Sequence, residues 1–128
     1  MTSKKIILTD KAPAPVGPYS QAVQAGQFLY VAGQVPVNPE TKEIIRGDIQ
    51  KATMQVMENI AAIVEEAGYT MMDVVRCRVY LKNMDDFGKM NEIYGSYFPE
   101  QPPARVAFEA SRLPLDVEVE ISAIAWKE

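Results

Sequence analysis

The chain has 128 residues, 48% of them apolar and 23% charged, with a formal net charge of −4. That length reads as a single domain over residues 1–128, able to bury about two-thirds of its unfolded surface. The acidic balance leaves no electrostatic footprint for nucleic acid or an anionic membrane, and no apolar run is long enough to cross a bilayer.

Two scarcities narrow the chemistry further. The chain has no histidine and one cysteine, Cys77. Zinc sites of the usual Cys/His type and disulfides within the chain are therefore excluded, as are histidine-dependent triads and His-pair ribonucleases. Acid–base work falls to carboxylates, Tyr, Lys, Cys77 or water. Cys77 lies on an apolar strand face between Val75 and Val79, where an inert buried thiol is expected. Ile6-Ile7-Leu8 is too short for the core of a signal peptide, so the expected compartment is the cytoplasm.

In chain order, Lys5 to Leu8 reads as a first strand. Pro13, Pro15 and Pro18 then forbid both helix and central strand, so residues 10–20 form a stiff loop that delivers Tyr19. Gln21 to Ala25 and Phe28 to Gln34 form a hairpin about Gly26-Gln27. Ile44-Ile45 fits a short edge strand. Asp48 caps a helix whose apolar stripe runs from Ile49 to Ala67, with Gly68 as its stop. Met72 to Lys82 reads as a strand with Val75, Cys77, Val79 and Leu81 on one face and Arg76, Arg78 and Tyr80 on the other. Asp85 or Asp86 caps a second helix that turns Phe87, Met90, Ile93, Tyr94 and Tyr97 inward and ends at Phe98-Pro99.

The last stretch, Gln101 to Trp126, reads as two strands joined by a Pro-containing loop. Pairing them antiparallel about Leu113 brings Arg105 close to Glu120 on the polar side. A cation beside a carboxylate on rigid strands could grip an anion and activate a water. Taken alone, such a pair is more often a structural cross-strand ion pair. The element order implies an α+β two-layer sandwich: a mixed sheet with two helices on one face. Ser122 to Trp126 becomes apolar on both faces, which implies a cover over the side away from the helices; self-association is the simplest one.

Several segments together carry a resemblance. Ala14 to Gln21, Gly33-Gln34-Val35-Pro36, Asn91 to Tyr94, Pro103-Ala104-Arg105, Arg112-Leu113-Pro114 and Asp116 to Ile121 closely resemble the RidA/YjgF family of reactive imine and enamine deaminases, over nearly the whole chain. The resemblance implies a chorismate-mutase-like fold, a homotrimer, and ligand clefts between subunits that draw on two chains. It implies hydrolysis of 2-imino acids such as 2-iminobutanoate and 2-iminopropanoate to 2-oxo acids and ammonia, with no metal or organic cofactor. Arg105 would hold the substrate carboxylate, its positive charge would depress the pKa of Glu120, and Glu120 would activate the attacking water. Tyr19, Gly33 and Asn91 would line the cleft. Two positions depart from the family pattern. Ala32 replaces a common Ser, and Ala107 replaces a common Cys in the substrate-binding region. The competing reading is a non-catalytic trimeric sensor for small carboxylates, which needs Arg105 and dispenses with Glu120. A ribonuclease role is disfavoured by the acidic charge and the missing histidine.

Overall fold

The computed structural model describes residues 3–128. Its elements run β1 (Lys5–Ile7), β2 (Ala22–Ala25), β3 (Phe28–Gln34), α1 (Ile49–Glu66), β4 (Val74–Leu81), α2 (Phe87–Ser96), β5 (Ala104–Glu109) and β6 (Val119–Trp126). The strands form one six-stranded sheet in the order β1-β2-β3-β6-β4-β5. All pairings are antiparallel except β4 with β5. Both helices cover one face, which is the expected two-layer α+β arrangement with a mixed sheet.

The first helix forms where its stripe predicts. Asp48 accepts a hydrogen bond from Lys51 N at 3.1 Å, satisfying one of the free N–H groups at the start. Ile49, Val56, Met57, Ile60, Ile63 and Val64 are buried against the sheet, each worth about 2 kcal/mol. Gly68, at φ 85°, lets the chain turn away at the end. On α2, Met90 and Tyr94 are buried while Phe87, Ile93 and Tyr97 are half-buried. Asp86 holds the cap position of α2 without a side-chain cap bond, and Asn83 instead caps the short turn before it, accepting from Asp85 N at 2.9 Å.

The structure corrects three local expectations. Residues 44–45 form no strand; a single bridge joins Val37 to Ile44. The strand expected from Met72 begins at Val74, after a single turn of 3₁₀ helix over Met71–Asp73. A register shift between Val74 and Arg76 then puts Val74, not Val75, on the buried face with Cys77, Val79 and Leu81.

The largest correction concerns the C-terminal strands. β5 and β6 do not pair with each other. β5 is the edge strand, parallel to β4, with Arg105 opposite Cys77. β6 lies between β3 and β4 and pairs antiparallel with both, placing Glu120 opposite Tyr80. A parallel neighbour needs a crossover, and α2 is that crossover. The loop after β5 then passes the end of β4 to reach β6. Within it Leu115 and Asp116 sit at φ 58° and 54°, a strained region for non-glycine residues. Arg46 holds them there, donating to Leu115 O at 2.6 Å and to Asp116 O at 2.8 Å.

The Pro-rich loop is fastened from beneath by Gln21, which is buried. Its Oε1 accepts from Thr9 N at 2.7 Å, and its Nε2 donates to Thr9 O at 3.0 Å and Pro13 O at 2.9 Å. Three prolines leave few backbone N–H groups to do this work. Gln21→Ala strands these groups, so it is expected to lower the unfolding free energy by about 2–3 kcal/mol. Urea unfolding measures the loss, and amide exchange at Thr9 should rise with it.

Candidate functional site

The sequence-derived residues fall into two groups on opposite faces of the sheet. Arg105 projects to the helix side, as its pairing with buried Cys77 requires. Its Nη1 donates to Asn91 Oδ1 at 2.7 Å. Its guanidinium lies 4.8 Å from the ring centre of Tyr94 and 5.3 Å from that of Phe87. Phe87, Asn91 and Tyr94 are spaced four and three residues apart, so they share one face of α2. That face holds the arginine by two cation–π contacts and one hydrogen bond. Arg105 has five N–H donors, and its half-buried position leaves others free for an anion. Ala107, two residues on, lies on the same face of β5, half-buried and packed against the core.

Asn91 thus contacts Arg105 rather than standing free in the site. Sequence reasoning missed Phe87 and Tyr94 as partners of the arginine. The signal was present in their helical spacing with Asn91, but knowing that this face meets β5 requires the parallel crossover. Beneath the arginine, burial pushes the Cys77 thiol up to about 11, which suits the inert role expected of it. Tyr94 Oη is buried beside the Cys77 thiol, with no nitrogen or oxygen partner among the described residues.

The second group lies between β3 and β6. Glu120 is on the open face, and its carboxylate rests directly over Gly33. A Cβ at position 33 would overlap Glu120 Oε2 and come within 3.0 Å of Cδ. Gly33 falls where the β3–β6 register shifts, between Val31 and Gln34. Its missing side chain therefore makes room for Glu120. Burial raises the pKa of Glu120. The expectation that Arg105 would depress it fails within one protomer, because the two side chains lie on opposite faces and their strands are separated by β4.

Tyr19 stands apart from both groups. Its hydroxyl accepts a hydrogen bond from Val16 N at 3.4 Å, and half of the residue (49%) is exposed. It lines a largely apolar groove of about 860 Å³ with Leu8, Val16, Val35, Val37 and Leu115. Among the described residues no cluster of His, Cys, Asp or Glu is arranged to hold a metal ion. No helix is long and apolar enough to cross a membrane.

An open mixed sheet with two helices on one face is the YjgF, or chorismate-mutase-like, fold. Residues 9–127 match the family model described as Endoribonuclease L-PSP, and the chain belongs to this family, which is the RidA/YjgF family. A RutC family protein of Pyrococcus horikoshii is 60% identical, covering 98% of this chain and 99% of its own length. The 2-iminobutanoate/2-iminopropanoate deaminase of Mus musculus is 43% identical, with 95% of this chain and 90% of the mouse protein covered. The crystal structure of Escherichia coli TdcF with bound serine superposes with a TM-score of 0.93 at 38% identity, covering 97% of this chain and 99% of that one.

The fit of Glu120 against Gly33 has a measurable consequence. Gly33→Ala should cost about 1–3 kcal/mol in the parent chain, through overpacking against the carboxylate. The same change in a Glu120→Ala background should cost much less. A double-mutant cycle by chemical unfolding gives the coupling; equal costs in both backgrounds would show that Glu120 is not what excludes a side chain at 33.

Proposed function

We propose that this protein hydrolyses reactive 2-imino acids to 2-oxo acids and ammonia, acting in the cytoplasm as a single domain assembled into trimers. The observation that carries the reading is the pair of prepared charges: a guanidinium fixed by α2 with donors to spare, and a part-buried carboxylate of raised pKa. The mouse relative's activity is the reaction these two groups suit.

Within one protomer Arg105 and Glu120 face away from each other across the sheet, so the working site draws on two copies. The open face supplies the reason to associate. Phe28, Tyr30, Val106 and Phe108 are 40–50% exposed on it, beside the half-buried Ile124 and Trp126. In the proposed cleft, one copy contributes Arg105, Asn91 and Ala107. Its neighbour contributes Glu120 and Gly33, with Tyr19 at the rim.

The chemistry asks little of the protein. Arg105 takes the substrate carboxylate in a two-pronged contact. Glu120 removes a proton from a water as its oxygen attacks the imine carbon, C2. With the imine nitrogen protonated, attack gives a neutral carbinolamine. Glu120 returns the water's proton to the amino group, and ammonia leaves as the C2–N bond breaks. The C2 hydroxyl loses its proton to Glu120 and then to solvent, leaving the 2-oxo acid. A raised pKa makes Glu120 a stronger base than an ordinary carboxylate and a better acid near neutrality. A non-catalytic carboxylate sensor, the second reading, is favoured by the serine bound to TdcF. It requires Arg105 alone.

Arg105→Ala should lower kcat/KM for 2-iminobutanoate on the order of a hundredfold, and Glu120→Ala should lower kcat by about 10²–10⁴. The assay couples an amino acid oxidase to ammonia release, with sedimentation confirming that assembly survives. No acceleration by the parent chain, with ligand binding lost in Arg105→Ala and kept in Glu120→Ala, selects the sensor.

The acid limb of the pH–rate profile should lie above the usual Glu value of about 4.3, because burial raises this carboxyl. Stability moves the other way. With the folded pKa above the unfolded one, Glu120 favours folding fully only below the unfolded value, and that contribution is lost as pH rises through the folded value. Glu120→Gln should therefore melt higher than the parent at pH 7 while losing turnover. A lower melting temperature would contradict the burial argument.

A further inference from the structure

The open face also carries two cations that the proposed reaction does not use. Arg76 and Arg78 lie two residues apart on β4, on the same face and about 7 Å apart along the strand. Across the ladder they face Ile124 and Ser122 on β6 and Ala104 and Val106 on β5. With Tyr30, Ser122 and Ile124 they line a pocket of about 340 Å³. Among the described residues the one ion pair within 4 Å joins Lys82 to Asp116, so neither guanidinium has a carboxylate partner. Two like charges side by side on a strand are unfavourable, and no ion pair among the described residues offsets them.

The surroundings sharpen the problem. Tyr30 and Val106 flank the arginines, and Tyr80 and Phe108 stack edge to face at 5.0 Å beyond them. Glu120 is the one acidic side chain among the strand residues of this face, and it is turned onto Gly33. If copies associate through this face, each brings two arginines and one carboxylate into the interior, a surplus of positive charge. Burying an unpaired charge costs several kcal/mol, so the counter-charge has to come from elsewhere.

We infer that Arg76 and Arg78 hold a small oxyanion of the phosphate type, enclosed when copies of the chain associate through the open sheet face. This rests on the self-association reading above. Guanidinium forks match the oxygens of a tetrahedral oxyanion, and the hydroxyls of Ser122 and Tyr30 line the same pocket as further donors. The bound ion then acts as a structural counter-charge, separate from the substrate carboxylate held by Arg105 on the other face.

The test compares the full chain in chloride and in inorganic phosphate at matched ionic strength, by sedimentation and by thermal unfolding. Wild type is expected to assemble and to gain about 5 °C in Tm when phosphate is about tenfold above its Kd. Arg76→Gln/Arg78→Gln should lose that gain while keeping the far-UV spectrum of the fold; Arg78→Gln alone, expected to lose most of it, serves if the double variant misfolds. An assembled wild type with no phosphate shift, or an equal shift in the variants, overturns the oxyanion site and leaves self-association standing. A wild type that stays monomeric at every concentration in both buffers overturns self-association and the enclosed ion together. Salt-dependent retention of a single-stranded RNA oligonucleotide, lost in the variants and without any response to free phosphate, would assign the face to a nucleic-acid backbone and overturn the inference.

Discussion

β6 is the strand on which the rest of the molecule depends. It is hydrogen-bonded on both sides, to β3 and to β4, and so joins the N-terminal hairpin to the β4-α2-β5 unit. One face of it packs beneath α1 through Val119, Ile121, Ala123 and Ala125, all buried. Its other face carries Glu120, Ser122, Ile124 and Trp126. Without β6 the sheet would separate into two pieces, neither with enough buried apolar surface to stand alone. The same strand therefore closes the core and presents the carboxylate.

The insertion of β6 also explains what could and could not be read from the sequence. Period-two alternation gave both C-terminal strands, and helical periodicity gave α1 with its cap and stop. Alternation says nothing about which strands are neighbours. Arg105 and Glu120 belong to sequence-adjacent strands, so a hairpin was the economical reading. It failed because β5 is committed to β4 by the α2 crossover, a pairing between segments that a helix separates. The α2 contacts to Arg105 were hidden for the same reason. At Val74 and Val75 the miss was smaller: a one-residue register shift changes which valine is buried, and alternation cannot reveal a bulge. The apolar character of Ser122 to Trp126 on both faces, by contrast, pointed to a cover over the outer face; in the protomer that face is open, with Phe28, Tyr30 and Phe108 exposed.

The two faces of the sheet handle cations differently. On the helix side Arg105 is half-buried between aromatic rings and bonded to Asn91, so it is ordered before any ligand arrives. On the open side Arg76 and Arg78 stand largely among apolar groups, and among the described residues neither forms an ion pair within 4 Å. An arginine fixed in place loses little side-chain entropy when it binds, whereas an unpaired one waits for a counter-charge. Both lie on β4 or on its direct neighbour β5, so one short segment of sheet carries two kinds of positive site.

The contact between Glu120 and Gly33 ties two distant positions in the chain into one evolutionary unit. The acid rests above a residue with no side chain, and a Cβ at 33 would force the carboxylate to shift. A substitution at position 33 therefore has to displace the carboxylate at 120 from this place. Across an alignment the two columns should change together, a side chain at 33 going with loss or displacement of the acid at 120.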